Sequence, residues 1–361
     1  MDIIIAGGGI TGCYTGQLLR KKGLNPKVFE EHPHIGNPVQ CAGLIGREVV
    51  TTSQIPFPEE VIVRRVDGAR FFLGDQWFEI ERPKAAYVVD RAGLDTYFSK
   101  GLDIHTGEKV VTYEENITTT PPTTIQVTTT KTVYTCHALL GCDGPFSTVR
   151  NSGNFSIEPA FYPGAQYVVG LSPEDDFVEL YVRPPFFFWQ IPETEETTRI
   201  GFMGPHPVQE LNRFIERKEI KGEILEKQAG VISLGYGSIA REKIALLGDA
   251  ACQVNPLTGG GIFFSMKAAE IAVNHLDDLL TYEKEWNKTF GKEIKTGLRL
   301  RNIYENMSEK NLRKVFKILK ENKDTIETIA DFERHSSVVK EFLKHPILLK
   351  LVGSALKEFL K

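Results

Sequence analysis

The first twelve residues restrict the chain most. Asp2 to Ala6 (DIIIA) is a short, continuous apolar run, the pattern of a strand covered on both faces in a parallel sheet. It leads directly into glycines spaced Gly7-x-Gly9-x-x-Gly12. Glycine is needed there for the tight turn, for close approach of a ligand to the main chain, and for packing of the following helix on the strand. A helical pattern runs from Cys13 to Lys22 and Gly23 ends it. A second apolar strand, Lys27 to Glu30, finishes on an acid about 20 residues past the glycines, where a carboxylate accepts hydrogen bonds from a ribose. Strand, glycines, helix, strand and acid in this order predict a dinucleotide-binding unit.

Composition then limits the classes of function. A formal net charge of -4 on 361 residues gives no reason to expect a nucleic-acid partner. The five cysteines are odd in number and none falls in a CxxC pair, so neither a disulfide framework nor a metal site is expected. Free thiols and the absence of a basic leader or a bilayer-length apolar run predict a cytoplasmic protein. The segment Pro346–Lys361 places Ile347, Leu348, Leu351, Val352, Ala355, Leu356, Phe359 and Leu360 on one helical face. That face would pack on its own domain or lie peripherally on the inner membrane surface.

Two further segments repeat the pattern of a buried strand ending on an acid and glycine. Ala138 to Arg150 (ALLGCDGPFSTVR) carries Asp143-Gly144, and Ile244 to Ile262 carries Asp249 followed by NPLTGGGI. Gly259, Gly260 and Gly261 open the main chain to a ligand, and a helix from about Phe263 aims its free N–H groups at it. Between these segments, 56–84 and 151–234 alternate as exposed strands do, with an aromatic cluster at Tyr181–Pro192 that is either core or the wall of a lipophilic cavity. Lys109 to Leu140 reads as an inserted meander, and Asp90 as the cap of a helix starting at Arg91. The expected fold is α/β: a discontinuous Rossmann-like unit over 1–55, 85–150 and 235–280, with the meander inserted. An antiparallel-sheet catalytic unit covers 56–84 and 151–234, and a helical region 281–361.

The order and spacing of GGGITG with Glu30, GCDG and GDAACQVNPLTGGGI resemble the p-hydroxybenzoate hydroxylase-like flavoproteins over about residues 1 to 280. Within that group PVQCAGL (Pro38–Leu44), DRAGLD (Asp90–Asp95) and FFWQIP (Phe187–Pro192) look most like the geranylgeranyl reductase family. The family's Pro-x-x-Cys motif matches Pro38 and Cys41, and its Tyr-x-Trp-x-x-Pro motif matches Trp189 and Pro192, with Phe187 in place of the tyrosine. The resemblance implies FAD as cofactor. Its contacts would fall on Gly7, Gly9, Thr11, Gly12, Glu30, Cys41, Ala42, Leu44, Arg91, Val110, Asp143, Gly144, Asp249, Gly260, Gly261 and Ile262. It further implies a prenyl lipid substrate against Phe187, Trp189 and Pro192, and a transient electron donor, ferredoxin or NAD(P)H-linked.

An isolated prenyl double bond has no carbonyl to polarise it, so hydride addition needs a proton delivered to the other carbon. Cys41 is the motif residue with a transferable proton, either as a catalytic group or as a structural thiol against the cofactor. Two other activities fit the same motifs: an FAD monooxygenase or halogenase of this fold, and a carrier that holds flavin or lipid without reacting. The reductase form of Pro38–Gly43 speaks against the halogenase, and the intact NPLTGGGI against the carrier.

Overall fold

The computed structural model describes residues 1–116, 124–329 and 333–334; the amphipathic segment Pro346–Lys361 lies outside the described residues. A five-stranded parallel sheet has the spatial order Ile244–Leu246, Ala138–Gly141, Ile3–Ala6, Lys27–Phe29, Asp103–His105. Every residue of its two central strands is buried, which is why both read as unbroken apolar runs. The helix after the first glycines spans Ile10–Lys21 and starts three residues earlier than its apolar pattern suggests, with Gly9 as its N-cap. Gly12 therefore sits inside it, where a Cβ would stand 1.9 Å from the Gly7 carbonyl oxygen. Its missing side chain is what lets helix and strand approach. This helix packs against Ile262–Asn274, whose buried face is led by Phe263, Phe264 and Met266.

Eight strands form a second, long sheet. Across it run Ile224–Leu234, Ala160–Val169, Thr198–Met203, Phe186–Pro192, Phe177–Arg183, Ile62–Leu73, Gln76–Val89 and Leu44–Gly46. The pairing is antiparallel except where Phe177–Arg183 lies parallel to Ile62–Leu73. Leu44–Gly46 and the end of Gln76–Val89 belong to this sheet, although both lie in sequence within segments expected to form the dinucleotide unit. The two units thus share chain at the loop that carries Cys41. One face of the sheet packs Phe188, Ile200 and Phe202 against Leu211 and Phe214 of the helix Pro207–Arg217. The opposite face carries, in one register row, Trp189, Gly201, Gln166 and Gln228. That face meets the parallel-sheet unit: a Cβ on Gly230 would lie 2.9 Å from the Gln40 carbonyl, and one on Gly259 3.1 Å from Ile232.

The expected meander is present as Val110–Asn116, Thr124–Thr129 and Val133–Cys136. After Ile262–Asn274 the described chain is helical, with Leu279–Trp286, Lys292–Glu305, Glu309–Glu321 and Lys323–Ile329. Among the described residues no helix is long and apolar enough to cross a membrane.

Candidate active site

Three loops meet at the C-terminal ends of the parallel strands, the usual ligand crevice of such sheets. Gly7 takes φ +99, closed to other residues, and its N–H is held by the Phe29 carbonyl at 2.8 Å. The helical ladder starts at Cys13 N to the Gly9 carbonyl, 2.9 Å, so the first-turn N–H groups lie outside it. No atom lies within 4 Å of where a Cβ on Gly9 would be, which leaves that side of the turn clear for a phosphate. Glu30 Oε2 accepts from Gly8 N at 2.8 Å, and Oε1 accepts from His32 N at 2.8 Å, with His32 Nδ1 2.6 Å away. The carboxylate is thereby oriented with lone pairs remaining. Thr11 is buried beside Gly248, whose Cβ would lie 2.5 Å from Thr11 Oγ1 and 3.1 Å from Ser265 Oγ. The first and third glycine motifs are therefore in direct contact.

Arg91 is the most informative side chain of the crevice. Asp90 caps its helix, accepting from Gly93 N at 3.0 Å, and this sets Arg91 in the first turn. The residue is buried, not solvated, and its Nη2 lies 3.1 and 3.2 Å from the two oxygens of Asp95. Nε and Nη1 are buried without a hydrogen-bond partner. Burial disfavours its charge, but Asp95 and the nearby Cys41 sulfur outweigh that and raise its pKa. The sulfur interacts with the guanidinium without meeting the geometry of a hydrogen bond to those two nitrogens. Two unsatisfied charged donors in a protein interior are costly unless a ligand supplies acceptors.

Cys41 is half-buried and accepts from Gly43 N at 3.4 Å. Its loop is gripped from the long sheet by Arg199, whose Nη1 donates to the Ala42 carbonyl at 2.8 Å and whose Nη2 pairs with Glu193. Gly43, at φ +72, leaves room for that guanidinium: a Cβ would be 2.5 Å from Arg199 Nη1. Leu44 begins the edge strand and pairs with Val88. Arg199 and Glu193 carry no motif and escape sequence reading, because their contacts depend on a sheet register and on a loop 157 residues away.

Asp249 lies on the crevice side of the third loop. Burial pushes its carboxyl up to about 6, and the charge of Arg91 opposes the rise. Its Oδ1 would be 3.3 Å from a Cβ on Gly261. The NPLTGGG turn is closed by its own hydrogen bonds. Asn255 Oδ1 accepts from Leu257 N at 2.9 Å and Thr258 N at 3.3 Å, Gly259 N bonds the Asn255 carbonyl, and Gly260 N bonds Thr258 Oγ1. Most of its N–H groups thus hold the turn itself. The helical ladder begins at Ser265 N to the Gly261 carbonyl, so the open donors are those of the first turn starting at Ile262.

The remaining predicted residues divide. Asp143 faces inward: Oδ1 accepts from Ser147 Oγ at 2.6 Å and Oδ2 from Val149 N at 3.0 Å, so its carboxylate orders the short helix Thr148–Ser152. Gly144, at φ +74, has open space on its Cβ side. Val110 is buried at the start of the meander, paired with Thr129. Phe187 and Trp189 stand on the face of the long sheet that meets the Cys41 loop, in one apolar cluster with Ala42, Leu44 and Met203, and Pro192 is buried at the strand end. Trp189 donates Nε1 to Gln166 Oε1 at 2.8 Å, and Gln166 donates to Gln228 at 2.7 Å. The Phe187–Pro192 strand is therefore core on one face and, on the other, apolar surface packed against the Cys41 loop. Among the described residues no group of acids, histidines and cysteines could hold a metal ion. A surface hollow lined by Arg183, Glu210, Arg213, Glu216 and Arg217 belongs to the opposite side of the long sheet and contains none of these residues.

Residues 5–44 match the NAD(P)-binding Rossmann-like domain model. An uncharacterized protein of Methanocaldococcus jannaschii is 28% identical, covering 95% of each chain. A protein of Methanothermobacter thermautotrophicus named digeranylgeranylglycerophospholipid reductase 2 is 26% identical over 90% of this chain and 92% of its own. Among solved structures, a geranylgeranyl bacteriochlorophyll reductase-like protein from Thermoplasma acidophilum superposes with a TM-score of 0.82 at 20% identity, covering 98% of both chains. Over about nine-tenths of its length the chain is similar in sequence to proteins named digeranylgeranylglycerophospholipid reductase, and it shares its fold with the geranylgeranyl bacteriochlorophyll reductase-like protein.

Proposed function

We propose that the protein is an FAD-dependent oxidoreductase that saturates prenyl double bonds of an isoprenoid lipid. One observation carries the reading: the Cys41 loop lies beside Arg91, with two donors awaiting an acceptor, and is held by Arg199 of a sheet whose facing side carries Phe187, Trp189 and Met203. A polar, charge-bearing cofactor fits one side of that loop and an apolar chain the other. The residues suit FAD in particular: the clear side of Gly9 and the first-turn N–H groups would take the pyrophosphate, and Glu30 the adenosine ribose. Arg91 and Asp249 would take the middle of the molecule, and the helix starting at Ile262 would face the ring's pyrimidine side.

When bound and reduced, FAD supplies the hydride. The protein's part is to hold the alkene and deliver a proton. Phe187, Trp189 and Met203 exclude water from the chain, and Cys41 Sγ, on the pinned loop, is the transferable-proton group that would serve the second alkene carbon. Arg91 places a positive charge beside that sulfur. The electron donor is a transient partner, ferredoxin or an NAD(P)H-linked reductant.

Mass spectrometry of extracts from the purified protein should find FAD and a prenyl lipid. Under anaerobic conditions, geranylgeraniol should reoxidise the reduced flavin; oxygen uptake driven by a phenolic compound instead would replace this reading with a monooxygenase. Cys41→Ala, with FAD fully bound, should slow that reoxidation on the order of 10²- to 10⁴-fold. A wild-type rate would leave Cys41 a structural thiol.

A further inference from the structure

The helix Lys292–Glu305 lies beyond every motif, yet it reaches both halves of the site. Arg301 is 3% exposed and each nitrogen of its guanidinium has a backbone acceptor. Nε donates to the Pro256 carbonyl at 2.8 Å and Nη2 to the Leu257 carbonyl at 2.7 Å, both in the NPLTGGG turn. Nη1 donates to the Pro185 carbonyl, at the entrance to the strand that carries Phe187 and Trp189. The guanidinium carbon lies 3.5 Å from the centroid of the Phe186 ring, itself fully buried.

Neighbours on the same helix repeat the grip. Tyr304 Oη donates to the Phe186 carbonyl at 2.5 Å, and Glu305 accepts from Tyr162 Oη at 2.8 Å. Gly297, one turn before Arg301, lets the helix close on the turn: a Cβ there would be 2.9 Å from the Pro256 ring. A buried guanidinium has few ways to satisfy all its donors, and its planar fork ties three carbonyls from two distant segments into one rigid geometry. Burial lowers its pKa to about 10, so it stays charged at physiological pH.

We propose that Arg301 is a positioning residue that locks the cofactor-facing turn to the start of the substrate-facing strand, so that occupancy of one site is felt at the other. This rests on the functional reading above. A prenyl chain against Phe187 that settles the Pro185–Phe187 segment also settles Pro256 and Leu257, through one side chain, and with them the turn before the helix at Ile262. The two ligands should then bind with positive coupling, and the coupling must be reciprocal.

The test is the dissociation constant of FAD for the flavin-stripped protein, by fluorescence titration with and without saturating geranylgeraniol. It is made on wild type, Arg301→Lys and Tyr304→Phe, with circular dichroism and unfolding midpoints recorded for each. In wild type geranylgeraniol should tighten FAD binding about fivefold or more. Arg301→Lys keeps the charge but loses the fork, and should bring the factor below about twofold while both ligands still bind singly. Tyr304→Phe removes one bond to the strand and should lower the factor in part; it also serves as the probe if Arg301→Lys does not fold. Coupling of wild-type size in both variants, or none in wild type with both ligands bound, overturns the proposal. Failure of wild type to bind geranylgeraniol at all overturns the functional reading, and the proposal with it.

Discussion

Asp249 and Arg91 act on each other electrostatically across the crevice. A carboxyl whose pKa is raised in the folded state, here to about 6 from 3.8, binds its proton more tightly folded than unfolded. Its contribution is therefore most favourable below the lower value and is lost as pH rises through about 6. For the flavin-free protein this amounts to about 3 kcal/mol across that window, at about 1.36 kcal/mol per pKa unit. Asp249→Asn should thus gain stability over wild type at pH 7 and lose that advantage at pH 4, as read by urea unfolding at both values. A difference independent of pH would remove Asp249 as the titrating group. Its position after a buried strand and a glycine is visible in the sequence. Its environment is not, because Arg91 arrives from 158 positions earlier in the chain.

Among the elements, the strand Phe186–Pro192 shows best how one segment serves two purposes. Its odd positions, Phe187 and Trp189, face the Cys41 loop, while Phe188 stacks on Phe202 and Phe214 behind the sheet, with centroids 4.3 and 4.4 Å away. Alternation alone could not tell core from cavity wall, since both faces are apolar. Gly201, opposite Trp189, decides how the indole lies: a Cβ there would fall 2.2 Å from Trp189 Cζ2. Gly201→Ala should push the indole off its bond to Gln166 and cost about 1–3 kcal/mol. Chemical denaturation and near-ultraviolet circular dichroism would register both effects. An unchanged signal and stability would mean that the row is loose enough to absorb a methyl group.

For the molecule as a whole, two sheets are joined through a few buried polar clasps. Arg199 with Glu193 holds the Cys41 loop to the long sheet, and Arg301 holds the C-terminal helices to both units. Arg199→Met would leave the half-buried Glu193 with only the Thr197 hydroxyl and the Ala42 carbonyl without its donor. Removing the buried cation from a half-buried pair in this way costs about 1–3 kcal/mol. Urea unfolding should show that loss, and maleimide labelling of Cys41 should quicken as its loop comes free. Wild-type stability together with wild-type labelling would show that the loop is held by other contacts.

What the sequence determined by itself is local. The Gly7, Gly9, Gly12 and Glu30 motif is legible because strand, turn, helix and acid lie within 30 residues, with Gly7 at φ +99 and no room for a side chain at Gly12. The same holds for the Asp90 cap and for the meander. Only the tertiary structure decided that Asp143 orders a helix, that the N–H groups before Gly261 hold their own turn, and that Leu44–Gly46 joins the long sheet. Arg199, Gln166 and Arg301 became visible in the same way. The Asp143 and NPLTGGG bonds are short in sequence, but which acceptor each N–H takes is set by the local backbone path; the others depend on register and on contacts between residues far apart in the chain.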